Sequence, residues 1–575
     1  MQDQDNISEI KIEDQKIIQN KELNIWEALI PVVVLVGLLA FNVFLYGDDA
    51  LSGSNQFILL IGAAVAAVVG FRNRVSYARM LEEVAENIKS TTGAILILLM
   101  VGALAGTWLL SGIIPAMIYY GLQILNPTIF LAASVIICAI ISIATGSSWT
   151  TSATVGIALI GIGEALGISL GMTAGAVLSG AYFGDKMSPM SDTTNLAPAM
   201  AGGELFSHIK YMAMTTVPTI VVTLVVFVII GLNIDTSGEA NTGHMLAGIQ
   251  SSFNISPWLF LVPLTVIGLI VKKTPPLMAL LIGTLLGGVF AIVFQTGIIW
   301  ENGQRYHITQ VPNNLKHYVT FDNASNNNYQ SPGQYSLVPT GKVEGVTLSA
   351  PMDFDLPNDK DAPPVTKTTV ISINGEILGE FTAEATSTNF IQSSYFAVMN
   401  AMTVDTAVHT EDEALNDLFT AGGMQGMLGT IWLILCAMTF GGVMDAIGAL
   451  SRISQALLSL ATTTFGLFAS TVASCLALNV TASDQYLAIV VPGKMFKKAY
   501  EEKGLAPENL SRTLEDSGTV TSVLVPWNTC GAYQSGVLGV PVVDYFFFAI
   551  FNWLSPMMTL LFAAFSIKIK QLRTQ

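Results

Sequence analysis

The sequence predicts an all-α polytopic membrane protein built from two inverted repeats with broken helices, plus a small β-rich extracytoplasmic insertion. Three observations support this prediction. The 575-residue chain is 52% hydrophobic and 11% charged, whereas soluble domains average about 25% charged residues. Apolar runs of membrane-spanning length recur along the chain. Short sequence matches occur in the same order in its two halves.

The apolar runs predict the order of the membrane helices, because a span needs about 20 predominantly apolar residues. The clear runs lie near 27–46, 56–72, 91–112, 128–146, 210–232, 257–271, 276–297, 425–447, 462–480 and 542–566. Two further stretches, 149–184 and 484–541, are apolar but interrupted by polar residues and glycines. Such interruptions predict broken helices that line a cavity.

The distribution of Lys and Arg predicts the orientation of the chain. Basic residues precede the first span, follow the second span and follow the last one, whereas the loops 47–55 and 233–256 contain neither Lys nor Arg. Cytoplasmic loops are enriched in these residues. We therefore expect a multi-pass protein of the cell (inner) membrane with both termini in the cytoplasm. Residues 1–25 are polar and show no signal peptide.

Three pairs of matched segments predict the repeat. They are 58–71 with 279–292, 144–161 with 477–494, and 178–185 with 510–516. The first pair is offset by 221 residues and the second by 333, so the second half carries an insertion. With the predicted orientation, the first half starts inside and the second half starts outside. The repeat is therefore expected to be inverted, as in many secondary transporters.

These matches predict the organisation of the chain. The expected parts are an N-terminal tail (1–25), repeat 1 (26–232), repeat 2 (257–297 and 421–567), the insertion (298–420) and a cytoplasmic C-terminal tail (568–575). Residues 298–424 contain fifteen Asp and Glu against five Lys and Arg. Asn374-Gly375 lies between two β-rich runs and predicts a hairpin. The simpler interpretation of the insertion is an external decoration, and the alternative is a cap or a partner-docking module.

Polar residues gather at the interruptions in both halves. An ionised side chain at the centre of a membrane costs at least ~2.5–3.5 kcal/mol, so such residues usually face a cavity. Oxygen-rich sets that include a carboxylate suit a hard cation. The candidates for a cation and proton path are Asp185, Asp192, Asp484, Asp516, Ser147, Thr150, Ser188, Thr193, Asn195, Thr481, Thr519 and Asn528. The alternative interpretation makes these residues helix caps and packing positions.

Two basic residues in the same stretches, Lys186 and Arg512, are candidates for binding a substrate carboxylate. Alternatively, Lys186 pairs with a neighbouring carboxylate. The expected helix breakers are Gly146, Gly184, Pro189, Gly518 and Pro526.

Four longer stretches carry a family resemblance: "ATGSSWTTSATVGIALIGIG" (144–163), "SGAYFGDKMSPMSDTTNLAPA" (179–199), "TASDQYLAIVVPGKMF" (481–496) and "LSRTLEDSGTVTSVLVPWNTCGAY" (510–533). They resemble the NhaC-type Na+/H+ antiporter family, and the resemblance covers nearly the whole chain except 1–25 and the insertion. It implies a re-entrant hairpin and an interrupted helix in each inverted repeat. It also implies cation/proton exchange or, in some members, exchange of malate and lactate coupled to Na+ and H+.

The expected function is therefore secondary active exchange of Na+ for H+. A partly dehydrated carboxylate can hold a proton or help to ligate Na+, but not both, and competition with alternating access gives exchange without ATP. Asp185 and Asp516 are the expected main groups. The chain contains no G-x-x-x-x-G-K-[ST] loop, so an ATP-driven pump is not expected. We expect no enzyme activity and no cofactor, since Na+ and H+ are transported ions.

Two alternatives remain open from the sequence. One is an organic-acid or amino-acid exchanger of the same fold, and the other is a membrane sensor or scaffold that no longer transports. The polar sets in both halves argue against the sensor. The expected partners are Na+, H+ and the lipid bilayer, with small organic acids or amino acids added for the first alternative. A homodimer is a further possible assembly. The net charge of −16 argues against nucleic acid.

Overall fold

The computed structural model describes residues 23–46, 53–234, 239–324, 328–410, 416 and 418–572. Most of the predicted N-terminal tail, residues 47–52 of the first loop and the last three residues of the C-terminal tail lie outside the described residues. The structural statements that follow concern the described ranges.

The part of the chain before the insertion is helical. Its helices are α1 (Ile25–Tyr46), α2 (Ser54–Arg72), α3 (Tyr77–Ser90), α4 (Thr92–Leu110), α5 (Ile113–Ile124), α6 (Pro127–Thr145), α7 (Ser148–Thr151, a π turn at Ser152–Gly156, then Ile157–Ala165), α8 (Leu170–Met187), α9 (Asp192–Ala201), α10 (Leu205–Asn233), α11 (Glu239–Ser252), α12 (a 3-10 turn at Pro257–Phe260, then Leu261–Val271), α13 (Pro276–Phe294) and α14 (Thr296–Gly303).

The part after the insertion is helical as well. Its helices are α15 (Phe390–Thr403), α16 (Gly423–Gly426, then Leu428–Ala446), α17 (Ala449–Ser459), α18 (Thr464–Thr481), α19 (Gln485–Glu502), α20 (Pro507–Leu514, a π turn at Glu515–Thr519, then a 3-10 turn at Ser522–Leu524), α21 (Thr529–Leu538), α22 (Val542–Tyr545) and α23 (Ile550–Ala564).

Eight helices within the described residues are long and apolar enough to cross a membrane, or nine if a bent pair counts as one span. The bent pair comprises Met245–Ser252 and Pro257–Val271, which meet at 86°. Large apolar side chains such as Val33, Val68 and Leu232 remain exposed on these helices, which suits contact with lipid. The chain is a multi-pass membrane protein, as its composition predicts.

The first half contains a helical hairpin formed by α6 and α7, here termed hairpin A. Asn126 caps α6, and Pro127 occupies its first turn. The helix ends at Gly146, whose φ of 71° is readily adopted only by glycine. Ser147 then caps α7 by accepting a hydrogen bond from the Thr150 backbone N–H at 3.2 Å. The predicted break at Gly146 is therefore a tight turn between two antiparallel helices.

The second half contains a corresponding hairpin of α18 and α19, here termed hairpin B. Thr463 caps α18, and the turn contains Ser483 at a φ of 59°. Asp484 caps α19 by accepting the backbone N–H groups of Tyr486 and Leu487 at 2.8 and 3.0 Å. The two hairpins thus turn by different means, a glycine in A and a strained serine with a carboxylate cap in B.

An interrupted helix follows each hairpin. In the first half the break separates α8 from α9, whose cap is Ser191. In the second half it separates α20 from α21, whose cap is Asn528. Pro189 and Pro526 lie in these breaks. Gly184, an expected breaker, instead lies inside α8, where a Cβ would come within 2.6 Å of the Ala139 carbonyl oxygen. Its role is close packing of α8 on α6.

The turn of each hairpin contacts the break in the following interrupted helix. In the first half, Gly146 packs against Met190, and the Ser188 hydroxyl donates to the Ile143 carbonyl at 2.9 Å. In the second half, the Thr529 backbone N–H donates to the Ser483 carbonyl at 2.9 Å. Both halves therefore contain a hairpin whose turn is packed against a broken helix, in the same chain order.

One end of the bundle, here termed the basic end, carries Arg72, Arg452, Lys503 and Lys570. Arg72 pairs with Glu27 at 3.3 Å, and Arg452 Nε donates to the Leu23 carbonyl at 3.1 Å. Lys503 Nζ donates to the Thr462 carbonyl at 2.8 Å, which closes the base of hairpin B. Lys570 Nζ lies 2.5 Å from Glu508.

The end at which the chain enters the insertion is here termed the sheet end. Gln295, at the end of α13, donates there to the carbonyl groups of Ser111 and Asn254. Leu418, near the end of the insertion, packs against Gly161 of hairpin A. The Phe253 and Phe419 rings meet at 5.1 Å.

The insertion contains two antiparallel sheets that pack around an apolar core. The larger sheet has the order β3-β1-β8-β7-β5 and the smaller has the order β2-β4-β6. The strands are β1 (Tyr306–Ile308), β2 (Val319–Asp322), β3 (Tyr329–Gln330), β4 (Gly333–Pro339), β5 (Val346–Leu348), β6 (Asp353–Leu356), β7 (Val365–Ile373) and β8 (Glu376–Ser387). Asn374 and Gly375, with φ of 48° and 91°, form the predicted turn of the β7–β8 hairpin.

The sheet part is smaller than the insertion that the sequence predicts. Its first and last residues meet, because the Thr388 backbone N–H donates to the Arg305 carbonyl at 2.9 Å. After it, α15 packs into the helical bundle, with the Ala401 carbonyl against Gly106 of α4. A two-strand ladder of β9 (Thr406–Ala407) and β10 (Thr420–Ala421) then leads to α16. The sheets therefore occupy about 305–388 of the predicted 298–420.

Candidate cation site between the helix breaks

Asp185, in the last turn of α8, lies at the start of α7 in hairpin A. Its Oδ2 accepts hydrogen bonds from the Ser148 backbone N–H at 3.2 Å and from the Ser148 hydroxyl at 2.7 Å. The start of a helix carries unpaired N–H groups and a partial positive charge, so a carboxylate is favourable there. Asp185 of α8 therefore helps to cap the start of α7 through Oδ2. Its Oδ1 does not take part in these two hydrogen bonds.

Glu515 connects the two halves through a hydroxyl group. The Thr193 hydroxyl of α9 donates to Glu515 Oε1 at 2.9 Å and lies 3.1 Å from the Ser191 hydroxyl. Glu515 is fully buried, and its Oε2 has no hydrogen-bond partner within the described residues. The hydroxyl of Thr519, one turn further along α20, likewise has none in that part of the chain. Buried oxygens usually have partners, so this pair marks a site that can accept a ligand.

Lys186 and Asp516 form an ion pair between the halves. Lys186 Nζ donates to Asp516 Oδ1 and to the Ser555 hydroxyl, the latter at 3.0 Å. Asp516 Oδ2 accepts hydrogen bonds from the Thr559 hydroxyl and, at 3.0 Å, from the Thr215 hydroxyl. Both charged side chains are fully buried. The predicted alternative, that Lys186 pairs with a carboxylate, is therefore observed, and both Asp516 oxygens are engaged.

The turn of hairpin B and the second break are joined by amide side chains. Asn528 Nδ2 donates to the Asn479 carbonyl at 3.0 Å, and Asn479 Nδ2 donates to the Gly518 carbonyl at 2.8 Å. Asp484 caps α19 nearby and is almost fully buried. Asn528 and Asp484 therefore have clear structural roles as caps, in agreement with the alternative interpretation of the polar residues.

The other predicted residues are placed less centrally. Asp192 and Asn195 are exposed on α9. The hydroxyl of Thr481 donates to the Ala477 carbonyl of its own helix at 2.8 Å. Thr150 is buried and accepts the Thr154 hydroxyl at its carbonyl. Within the described residues, the hydrogen bonds of Asn195, Thr481 and Thr150 do not reach Asp185, Glu515 or Asp516.

Arg512 lies one turn before Glu515 on α20 and is fully buried. Its guanidinium carbon lies 4.6 Å from the centroid of the Tyr211 ring. No hydrogen-bond acceptor reaches its three side-chain nitrogens in the described part of the chain.

Glu515 belongs to the polar set at the second interruption, but the predicted site residues contain its neighbour Asp516 instead. The hydroxyls that surround Asp516 are not among the predicted residues. Thr215, Ser555 and Thr559 lie in apolar runs that read as ordinary spans. The signal that could have revealed one of them is the spacing of Thr215, Thr219 and Thr223, which recur every four residues and are all buried. Such a polar stripe on one face of a span predicts a protein-facing surface.

An aromatic contact joins α7 of the first half to α21 of the second half beside the candidate site. The Trp149 ring, at the start of α7, stacks on the Tyr533 ring of α21 with centroids 3.9 Å apart and planes at 18°. The Tyr533 hydroxyl also donates to the Trp149 carbonyl at 3.2 Å. Hairpin A of the first half is thereby packed on the interrupted helix of the second half.

Taken together, two helical hairpins and two helix breaks surround a group of buried carboxylates and hydroxyls inside an apolar bundle. Polar, irregular backbone at membrane depth is the architecture of secondary transporters. The sequence profile of the "Na+/H+ antiporter family" matches residues 180–302 and 364–567. The chain belongs to this family.

Relatives of known name match over most of their length. The chain is 32% identical to the Na(+)/H(+) antiporter NhaC of Alkalihalophilus pseudofirmus, over 89% of this chain and 90% of the relative. It is 31% identical to the malate-2H(+)/Na(+)-lactate antiporter of Bacillus subtilis, over 92% of each chain. It is 28% identical to the arginine/ornithine antiporter ArcD of Halobacterium salinarum, over 93% of this chain and 90% of the relative.

Proposed function

We propose that the protein is a secondary active transporter that exchanges Na+ for H+ by alternating access. The observation that carries the proposal is the bridge from Thr193 of the first half to the buried Glu515 of the second, with Asp185 held at the neighbouring helix start. Carboxylate and hydroxyl oxygens suit Na+. A carboxylate that ligates Na+ cannot hold a proton on the same oxygen, so binding of one ion displaces the other.

Asp185 and Glu515 are the groups to which we assign this competition. Asp516 was expected to share it, but both of its oxygens are engaged by Lys186, Thr215 and Thr559. We assign Asp516 to the contact between the halves, so that exchange depends on it through the position of α20. The Thr193 and Thr519 hydroxyls complete the proposed cation site.

The proposed alternating access rests on inverted repeats. Hairpin A has contacts with Leu418 near its base, whereas the base of hairpin B is closed by Lys503 at the basic end. These contacts support hairpins that enter the bundle from opposite ends. Rocking of one half against the other then opens the site to each side in turn.

We further propose that the basic end faces the cytoplasm and the sheets lie outside the cell membrane. Arg72, Arg452, Lys503 and Lys570 gather at the basic end. Lys and Arg are enriched on the cytoplasmic side of membrane proteins. This orientation places both termini in the cytoplasm.

Reconstituted proteoliposomes provide the test. A Na+ gradient imposed across vesicles with a trapped pH indicator should drive proton movement in the opposite direction, whereas a choline gradient should not. Glu515→Gln should weaken the apparent Na+ affinity by roughly tenfold or more, the usual scale for a contact to a charged group. Glu508→Gln is the matched control, because Glu508 pairs with Lys570 at the basic end.

Three other outcomes would contradict the proposal. Proton movement that requires added malate, lactate or an amino acid identifies the organic-solute exchanger instead. No flux under any gradient, from protein that remains folded, favours the sensor or scaffold. Wild-type Na+ affinity in Glu515→Gln removes Glu515 from the cation site.

A further inference from the structure

We propose that residues 566–572, here termed the strap, form a gate at the basic end of the exchanger. The strap holds α20 of the second half against α10 of the first half, and it must detach before the proposed cation site opens to that end. This gate rests on the proposed function, because it has a role only if the two halves move during exchange.

The strap pairs with the backbone of the segment between α19 and α20. The Ala506 backbone N–H donates to the Lys570 carbonyl at 3.0 Å, and the Leu572 backbone N–H donates to the Gly504 carbonyl at 2.8 Å. Gly504 lies just after the end of α19, and its φ of 70° is in the left-handed region that favours glycine. Two extended segments therefore meet at the basic end, next to the start of α20.

Side chains from both halves of the protein bind the backbone of the strap. The Tyr211 hydroxyl of α10 lies 2.7 Å from the Lys568 carbonyl oxygen. Asn509 Nδ2 of α20 donates to the Lys570 carbonyl at 2.6 Å. The Tyr211 hydroxyl also lies 2.6 Å from Asn509 Oδ1. The strap therefore covers the point at which α10 meets the start of α20.

An ion pair adds a second contact between the strap and both halves. Lys570 Nζ lies 2.5 Å from Glu508 Oε1 of α20 and 3.3 Å from the Ser207 hydroxyl of α10. The Ser207 hydroxyl donates to Glu508 Oε1 at 2.6 Å. The Lys570 side chain is 42% exposed, so water screens the pair and its contribution is small. Within the described residues these bonds connect Glu508 to Lys570 and Ser207 rather than to the cation site, so the pair affects the gate and not the affinity for Na+.

The apolar packing of the strap is sparse. Ile569 is partly buried against the apolar cluster that contains Leu505 and Leu510, but Ile567 and Leu572 remain exposed. Segments with few buried apolar contacts and exposed backbone hydrogen bonds open locally at a low free energy. The strap therefore has the properties of a segment that detaches while the helical bundle stays folded.

The backbone of the strap is held in an unfavourable conformation at two positions. Ser566 and Lys568 both have a φ of 53°, in the left-handed region that residues with a side chain rarely adopt. Such conformations persist only where surrounding contacts impose them, and they cluster in switch segments. Detachment of the strap relieves this strain, which offsets part of the hydrogen bonding that is lost.

The two helices that the strap joins also carry contacts of the candidate cation site. Thr215, one turn after Tyr211 on α10, donates to Asp516 Oδ2 at 3.0 Å. Asp516 adjoins Glu515 in the π turn of α20. Separation of α10 from α20 at the basic end would therefore extend toward Glu515. Because the strap is bound to both helices, this separation requires its release.

A reversible covalent lock provides the test. Leu505 and Gln571 are opposite each other in an antiparallel bridge, and the two backbone hydrogen bonds lie on either side of them. Residues paired in this way have Cα atoms about 4.5 Å apart, within the range of a disulfide. Leu505→Cys/Gln571→Cys, oxidised in proteoliposomes, should lower the rate of exchange by roughly tenfold or more, because a gating segment that cannot detach blocks the conformational step. A reducing agent should restore the rate.

The two single-cysteine variants, treated with the same oxidant, are the matched controls and should not respond to it. The native cysteines are buried, and mass spectrometry of the thiols reports whether the bridge has formed. A bridged double variant that exchanges as fast as its reduced form would make the strap a fixed brace and overturn the gate, while the exchange function stands. Failure of the two cysteines to form a bridge would contradict the gate as well. Absence of exchange in the wild type would contradict the proposed function itself.

Thiol reactivity beneath the strap provides a second measurement, which requires neither the lock nor ion flux. Ser511 of α20 is fully buried, and its hydroxyl lies 2.8 Å from His208 Nδ1 of α10. In a Ser511→Cys background, Lys570→Gln should raise the rate of modification by a methanethiosulfonate roughly two- to fivefold, the scale of a partly exposed ion pair. Lys89→Gln, which changes an exposed lysine paired with Glu86, is the control. Equal rates with and without Lys570→Gln would overturn the gate.

Discussion

Lys186 donates a hydrogen bond to Asp516, which lies 330 residues further along the chain, and both side chains are fully buried. The pair joins the end of α8 to the π turn of α20, so it connects the two interrupted helices. Charges buried in a low-dielectric interior are tolerated only when they are paired and hydrogen-bonded. Ser555, Thr215 and Thr559 provide the remaining hydrogen bonds.

Replacing one partner of this ion pair should destabilise the protein more than replacing both partners together. Asp516→Asn and Lys186→Met should each lower the free energy of unfolding by about 3–5 kcal/mol, because each leaves a buried charge or polar group without its partner. The double variant should lose less than the sum of the two. Thermal unfolding in detergent of the four proteins measures this coupling, and strictly additive losses would show that the pair contributes no specific interaction. We also expect Asp516→Asn to abolish exchange.

Removing the Asp185 charge should abolish exchange without preventing folding. Asp185→Asn retains an oxygen that can accept from Ser148, so we expect a loss of stability of only about 0.5–2 kcal/mol, the scale of a helix cap. Asp192→Asn is the matched control, because Asp192 is exposed in the same segment. Flux assays in proteoliposomes compare the two variants. Normal exchange in Asp185→Asn, or loss in both, would contradict the assignment of Asp185 to the ion path.

The proposed orientation can be tested by labelling single cysteines in intact cells. The four native cysteines are buried, so little background is expected. Ser331→Cys and Asn374→Cys lie at exposed positions of the sheets and should react with an impermeant maleimide added outside, after removal of any outer membrane. Ser459→Cys, at the exposed last residue of α17, should react only after lysis. The opposite labelling pattern would reverse the orientation.

The sheet part should be dispensable for exchange. Arg305 and Thr388 already hydrogen-bond to each other through their backbones, so a short Gly/Ser turn can replace residues 306–387. This variant keeps α15, which packs on Gly106 and Gly288. We expect flux within about twofold of the wild type, since the described contacts of the cation site involve no residue of the sheets. A variant that is stable in detergent but inactive would instead make the sheets part of the transport cycle.

Much of the fold could be predicted from local pattern. The apolar runs, the Asn374-Gly375 hairpin turn and the polar interruptions depend on residues close together in the sequence. The bend between α11 and α12 and the packing of α15 could not, because they depend on tertiary contacts such as Val398 against Gly288. Because α15 (Phe390–Thr403) packs into the helical bundle, the sheets end before it and occupy a shorter range than the predicted insertion.

The site was only partly predictable for a related reason. Sequence reasoning can find Asp185 and Asp516 as unusual charges in apolar surroundings. It cannot show that Asp516 is fully engaged while the adjacent Glu515 retains an oxygen without a partner. That distinction depends on which way each side chain leaves the π turn at Glu515–Thr519, and a π turn has no simple sequence signature. Turns of this kind are frequent at functional sites.

The stack of Trp149 on Tyr533 has a spectroscopic consequence. An indole stacked on a phenol ring differs in emission from one whose ring faces are exposed to solvent. Any relative movement of the two halves that separates these rings would therefore change the fluorescence of Trp149. In a variant that keeps Trp149 and replaces the other seven tryptophans, the fluorescence of Trp149 would report the conformational change. The emission could be recorded continuously while an ion gradient is applied or reversed.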